Sequence, residues 1–339
     1  MIGQARHAEH DVCQVGQVRG ARWTLRDMSG QPAEQLWAIV LAGGEGVRLR
    51  PLARRVCGDD RPKQYVPLLG GRTLLGQTLD RVALGIPPAR TVVSTVQTHT
   101  GYIAAELAAR QARVLVQPAE HGTAPGILFP AHWISWRAPD ATVAVFPSDH
   151  FILQEAAFMA HVAEVGAWVV RHPDRLVLLG APASDPEVEY GWIEPGALLD
   201  EAPCGPIRAI RRFWEKPLEA TTRTCLETGC LWNTLVVVAK VATLIEAGQQ
   251  RLPDLYDRLA KIAPFEGTVQ ERWAVRQAYS LMPRANFSRA ILEPCPSFLA
   301  VSALPHLTWS DLGTPRRVFD LLRRVPMRPA WLEAADLIA

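Results

Sequence analysis

Short apolar runs alternate with longer amphipathic stretches along most of this chain. Trp37-Ala-Ile-Val-Leu41 is a continuous apolar run that ends in the glycines of Ala42-Gly-Gly-Glu-Gly46, the pattern of a buried strand entering a tight loop. Similar runs at Thr91 to Thr95, Arg113 to Val116, Thr142 to Phe146 and Leu176 to Gly180 predict further strands. Between them, helical stretches are expected at Thr73 to Leu84, Gly101 to Arg110, Ile127 to Trp136 and Glu155 to Arg171. Strand alternating with helix at this spacing predicts an α/β fold with a doubly wound, mostly parallel sheet. Later strands are expected at Ile207 to Trp214, Leu235 to Ala239 and Phe298 to Val301, with helices near Ala220 to Thr228, Pro253 to Ile262 and from Pro315. The first 35 residues show neither period and are rich in Gly, Gln and charge, which predicts a flexible extension. The expected division is therefore 1–35 as that extension, 36–320 as one folded α/β domain and 321–339 as a short C-terminal tail.

Composition narrows the class. The 339 residues are 48% apolar and 21% charged, enough to bury a core and too little charge for wholesale disorder. Thirty-six basic against thirty-four acidic residues gives +2, which argues against a nucleic-acid or membrane-surface binder. The longest apolar run, Leu235 to Ile245, is broken by Lys240 and falls short of the ~18–20 residues of a membrane helix. Six cysteines without a C-x-x-C pair suit a reducing compartment, and no apolar leader precedes the first strand. These features predict a cytoplasmic protein and leave room for a homo-oligomer. Only four of the basic residues are lysines: Lys63, Lys216, Lys240 and Lys261. A lysine kept where arginine prevails elsewhere suggests a task for a compact point charge, such as meeting a phosphate.

Candidate chemistry begins at the glycine loop. Leu41-Ala-Gly-Gly-Glu-Gly-Val-Arg-Leu-Arg-Pro51 is neither a Walker A loop, lacking Gly-Lys-Ser/Thr, nor a dinucleotide fingerprint, since Leu49 stands at the third glycine position. Its glycines still allow backbone amides to approach a nucleotide phosphate. Arg48 and the Pro-fixed Lys63 of Arg61-Pro-Lys-Gln-Tyr65 place two cations near it.

Together these blocks resemble the signature of the sugar-phosphate nucleotidyltransferases. Thr123-Ala-Pro, Phe146-Pro-Ser-Asp-His150, Tyr190-Gly-Trp-Ile, Trp214-Glu-Lys-Pro217, Trp232-Asn233 and Trp309-Ser-Asp-Leu-Gly-Thr-Pro315 follow in the family's order and look like its mannose-1-phosphate guanylyltransferase branch. The resemblance runs from Trp37 to Val318 and implies a Rossmann-like nucleotide-diphospho-sugar transferase fold. It also implies transfer of a nucleotidyl group from a nucleoside triphosphate to a hexose 1-phosphate, here GTP and mannose 1-phosphate, with release of pyrophosphate. By the same resemblance Asp149 and Asp311 would hold Mg²⁺, while Arg48, Lys63 and Lys216 would neutralise phosphates. Leu41, Ala42, Gly43, Gly44, Gly46, Gln117, Gly122 and Thr123 would bind the nucleotide. Gly191, Glu215 and Asn233 would bind the sugar, while the tryptophans at 192, 214, 232 and 309 are expected to pack rather than stack on it.

One block departs from that branch. Where it reads Glu-Pro-x-x-Arg-Asn-Thr-Ala-Pro, this chain has Gln117-Pro-Ala-Glu-His-Gly-Thr-Ala-Pro125, closer to thymidylyl- and uridylyltransferases. Guanine offers two adjacent donors, which a carboxylate can accept together, whereas an amide offers one acceptor and one donor. If Gln117 faces the base, guanine must find its second acceptor elsewhere. The alternatives are thus use of dTTP or UTP with another hexose 1-phosphate, or a catalytically silent homologue that senses sugar nucleotides. Arg48, Lys63, Asp149 and Asp311, whose loss marks such silent proteins, are all present.

Overall fold

The computed structural model describes residues 36–332 apart from 109 and 295, and these form one compact unit. The expected extension over 1–35 lies outside the described residues. Eleven strands are described: β1 (Leu36–Leu41), β2 (Thr91–Val96), β3 (Arg113–Gln117), β4 (Thr142–Pro147), β5 (Phe151–Ile152), β6 (Leu176–Pro182), β7 (Gly191–Ala202), β8 (Gly205–Glu215), β9 (Leu231–Lys240), β10 (Leu299–Ala303) and β11 (Trp309–Ser310). Nine form one sheet in the order β3-β2-β1-β4-β9-β6-β10-β8-β7, and β5 pairs with β11 in a small antiparallel ribbon. Strands β3, β2, β1 and β4 are mutually parallel. Strands β8 and β9 run against the rest, so the far half of the mostly parallel sheet is mixed.

Side chains of the sheet divide between two cores, as period-two alternation demands. Ile39, Val143, Val145 and Val237 enter the core under the helices Thr123–Ser135, Val241–Arg251 and Pro253–Ala260. Ala38, Val40, Ala144 and Val238 enter the other, under Leu74–Ala83 and Glu155–Arg171. Helices on both faces make the sheet doubly wound. The central parallel strands are buried along most of their length, which is why they read as continuous apolar runs.

Two features set the site. The carboxyl ends of β1 and β4 lie side by side, with Leu41 opposite Pro147, so the glycine loop and the Ser148–His150 loop leave the sheet together. Beyond them, β9 and β6 slip register between Leu178 and Gly180. Leu235 takes a positive φ there, and its amide donates to Asn233 Oδ1 at 3.0 Å. Such irregularities re-aim neighbouring side chains. At the C-terminal end the helix Pro315–Arg324 runs through the boundary expected at 320, and Leu321, Leu322 and Val325 are buried in a third core with Leu49 and Leu52. The indole of Trp331 donates to Leu68 O at 3.0 Å.

Candidate active site

The glycine loop is pinned from behind. Ala42 O accepts from Tyr65 Oη at 3.1 Å and Thr95 Oγ1 at 3.2 Å, and Gln64 Nε2 donates to both Ala42 O at 3.0 Å and Gly44 O at 2.9 Å. With these carbonyls drawn back, the loop's amide side is left for an anion. Gly46 has φ 59°, and a Cβ there would lie 2.8 Å from Lys63 N and 2.9 Å from Lys63 Cβ. Glycine is what lets the loop lie directly on the Pro-Lys-Gln-Tyr segment.

That contact builds the charged centre. Gly46, Arg48, Lys63, Asp149 and Asp311 all line one cavity of about 310 Å³. Lys63 is only 7% exposed. Its ammonium pairs with Asp149 Oδ2 at 2.9 Å and donates to Asp311 O at 2.6 Å and Leu312 O at 3.3 Å. The Asp311 carboxylate is held by Tyr190 Oη at 2.7 Å, by Gly313 N at 3.0 Å, and by Arg317 Nη1 at 2.9 and 2.8 Å from its two oxygens. Burial works against the charge on both aspartates, but Lys63 beside each, with Arg317 beside Asp311, holds both below the ordinary carboxylate value. Burial also pushes His150 down to about 4, leaving it neutral. Trp309 Nε1 donates to its Nδ1 at 3.3 Å, so its Nε2, 4.0 Å from Asp149 Oδ1, carries the hydrogen.

Two ionised carboxylates facing one cavity suit a hard cation that takes its remaining ligands from phosphate oxygens and water. Among the described residues, no cluster of three or more His, Cys, Asp or Glu side chains could hold a metal by protein ligands alone. The carboxylate oxygens of Asp149 and Asp311 are the donor type that Mg²⁺ takes.

The residues expected to meet the sugar also converge. Gly191 on β7 faces Glu215 on β8, and a Cβ at Gly191 would lie 3.1 Å from Glu215 Oε2 and 3.2 Å from Asn233 Cβ. Burial raises Glu215's affinity for its proton, partly offset by Lys216 and Arg289. Lys216 does not line the Lys63 cavity; it sits at φ 53° with Nζ 3.7 Å from Glu189 Oε2, the oxygen that also pairs with Arg48. The segment 187–191 thus ties the parts together: Glu187 pairs with Arg317, Glu189 with Arg48 and Lys216, and Tyr190 with Asp311.

A second cavity beside the glycine loop is lined by Leu41, Gly43, Gly44, Gln117, Gly122 and Thr123. Of the expected nucleotide residues, Ala42 is fully buried beneath it and Gly46 belongs to the neighbouring cavity. Gln117 is 4% exposed; its Nε2 donates to Ser94 Oγ at 3.1 Å and its Oε1 accepts from Tyr279 Oη at 3.1 Å. Trp192 is fully buried, while Trp232 and Trp309 pack around Tyr190 with ring centres 5.0 and 5.4 Å away.

Several residues at this site carry no signal of their own in the sequence. Gln64 and Tyr190 lie inside recognised blocks, but their hydrogen bonds to the loop and to Asp311 follow only from the fold. Glu189 and Arg317 lie just outside recognised blocks and Tyr279 far from any, and nothing in local pattern marks them. Arg81 is likewise buried behind the site, donating to Thr78 Oγ1 at 2.8 Å and His150 O at 3.2 Å.

A glycine loop at the carboxyl end of a parallel sheet, beside paired aspartates and cations, lies where open α/β sheets take their ligands. The chain belongs to the nucleotidyl transferase family, whose model matches residues 37–326. It is 30% identical over 291 residues to the xanthan biosynthesis protein XanB of Xanthomonas campestris pv. campestris (strain B100), covering 84% of this chain and 58% of that one. It is 28% identical over 283 residues to a mannose-1-phosphate guanylyltransferase of Sinorhizobium fredii (strain NBRC 101917 / NGR234), covering 81% and 52%. The chain therefore spans little more than half the length of these relatives. A crystal structure described as a mannose-1-phosphate geranyltransferase from Thermus thermophilus superposes with a TM-score of 0.72 at 28% identity, covering 84% of this chain and 79% of that one. Among the described residues no helix is long and apolar enough to cross a membrane.

Proposed function

We propose that the chain transfers a nucleotidyl group from a nucleoside triphosphate to a hexose 1-phosphate, with GTP and mannose 1-phosphate as substrates and GDP-mannose and pyrophosphate as products. The observation that carries this reading is the convergence of Arg48, Lys63, Asp149 and Asp311 on one cavity beside the glycine loop. A phosphate oxygen of the sugar 1-phosphate attacks the α-phosphorus in line. The bond from that phosphorus to the bridging oxygen breaks, and pyrophosphate leaves with the electron pair. Such a step needs positioning and charge neutralisation more than it needs acid–base chemistry. Arg48 neutralises the β- and γ-phosphates. Lys63, at the cavity wall, counters the repulsion between the α-phosphate and the incoming sugar phosphate. Lys216 meets the sugar phosphate from the side of Glu215 and Asn233, whose oxygens accept from sugar hydroxyls. Asp149 and Asp311 would hold Mg²⁺, which when bound would neutralise phosphate charge.

A pyrophosphate-release screen of GTP, UTP, dTTP and ATP against several hexose 1-phosphates, with and without Mg²⁺, tests this. Release that requires both substrates and Mg²⁺, and is fastest with GTP and mannose 1-phosphate, is expected. Binding of sugar nucleotides without any pyrophosphate release would replace the enzyme with a sensor.

A further inference from the structure

A guanine base needs two acceptors side by side for its N1–H and N2–H₂, and one donor for O6. Gln117 alone cannot meet that demand: its one acceptor oxygen already takes a bond from Tyr279, and of its two N–H bonds one goes to Ser94, which leaves a single N–H for O6. A carboxylate lines the same cavity. Glu120 is partly buried there, and its Oε1 accepts from Gly122 N at 2.6 Å. Arg284, largely exposed, stands 3.6 Å from Oε2.

The strip carrying Glu120 is not a loose rim. Ala285 N donates to His121 O at 2.9 Å and Ala124 N donates to Ala285 O at 3.1 Å. Phe287 N donates to Thr123 Oγ1 at 2.8 Å, and the ring of His121 meets Met282 O at 2.9 Å. These four bonds hold His121, Thr123 and Ala124 against the segment 282–287. Glu120 is joined to the same strip by its bond to Gly122.

We propose that Glu120 selects the base, its carboxylate accepting N1–H and N2–H₂ of guanine while the Gln117 amide meets O6. This rests on the nucleotidyl-transfer reading above and assigns the choice of nucleotide to a residue. Uracil and thymine present N3–H to the carboxylate but set O2 against it, and adenine presents an unprotonated N1. Each of these leaves the carboxylate facing a lone pair at the cavity wall, so guanine is the base the pair accepts.

The test compares GTP with ITP, which lacks only the 2-amino group. Calorimetric binding of each in the presence of Mg²⁺ requires no turnover, and kcat/KM with mannose 1-phosphate is measured alongside it. Wild type is expected to favour GTP over ITP by about 10- to 100-fold. Glu120→Gln keeps an oxygen for Gly122 N but replaces the second acceptor with a donor, so the GTP/ITP ratio should fall close to one. Glu120→Ala should do the same, and its melting temperature shows whether the strip has loosened. An unchanged ratio in folded Glu120→Gln, or no GTP/ITP discrimination in wild type, overturns the proposal. Discrimination lost in Glu120→Gln without pyrophosphate release from any substrate pair would uphold Glu120 as the base reader and sink the transfer reading instead.

Discussion

Lys63 uses its ammonium in three directions within the protein, toward Asp149 Oδ2, Asp311 O and Leu312 O. A tetrahedral ammonium fits three acceptors around a point; a planar guanidinium does not. Lys63→Arg keeps the charge but sets a wider planar group among three acceptors arranged around a compact one. Turnover should fall by about 100-fold or more, the scale of a misplacement of roughly 1 Å. Overpacking should also cost about 1–3 kcal/mol of stability. Parallel kinetics and urea unfolding check both, and unchanged kinetics would remove Lys63 from the reaction. Asp149→Asn tests its partner. It leaves the buried ammonium without its counter-charge and removes a proposed cation ligand, so turnover should drop by about 100- to 1000-fold while the Mg²⁺ concentration for half-maximal rate rises. Wild-type turnover at wild-type Mg²⁺ would contradict the assignment. Lys63 can be singled out in the sequence because lysines are so scarce. Its burial cannot, since the acceptors at 311 and 312 lie far along the chain.

Among the elements, the glycine loop shows what local pattern reveals. The apolar run from Trp37 and the glycines after it announce both β1 and the turn, because each is set by neighbouring residues. The seat of Gly46 on Lys63 is a tertiary contact and leaves no local trace. Gly46→Ala must both adopt a positive φ and push Lys63's backbone away from a Cβ 2.8 Å from its nitrogen. The conformational part alone costs about 1–2 kcal/mol. Thermal unfolding should show that loss, and turnover should fall further than stability does because Lys63 moves with the loop. A stability loss with normal kinetics would separate Gly46 from the site. Other elements are hidden for identifiable reasons. In the apolar run Leu235 to Ile245 the expected strand Leu235 to Ala239 is the end of β9, but the helix Val241–Arg251 that follows is hidden, because apolarity alone does not mark where a buried strand gives way to a buried helix. Strand β7 is obscured by Pro195, Gly196 and the register shifts around them. The helix Thr123–Ser135 begins before the expected Ile127 because Pro125 falls within its first turn, where proline is tolerated.

At the scale of the whole molecule, both faces of the sheet bury histidines, and this sets the response to acid. His132 lies in the helix Thr123–Ser135 on one face, and His161 in the helix Glu155–Arg171 on the other. Burial pushes each down to about 4 from an ordinary value of 6.5. Between those two values the unfolded chain binds a proton that the folded chain refuses, so folding stability rises with pH across this window. The contribution is complete above pH 6.5 and is lost progressively as pH falls toward 4. At pH 5 each histidine should cost about 2 kcal/mol relative to about pH 7.5, a large share of a typical domain's stability. His132 isolates the effect, because its ring packs between Trp136 at 6.2 Å and Tyr256 at 5.3 Å. His132→Phe keeps an aromatic ring there and removes the titration. Urea unfolding at about pH 7.5 and about pH 5 should therefore show the variant losing about 2 kcal/mol less than wild type over that interval. Equal losses in the two proteins would mean that His132 is protonated in the folded state and that its burial does not govern the acid response.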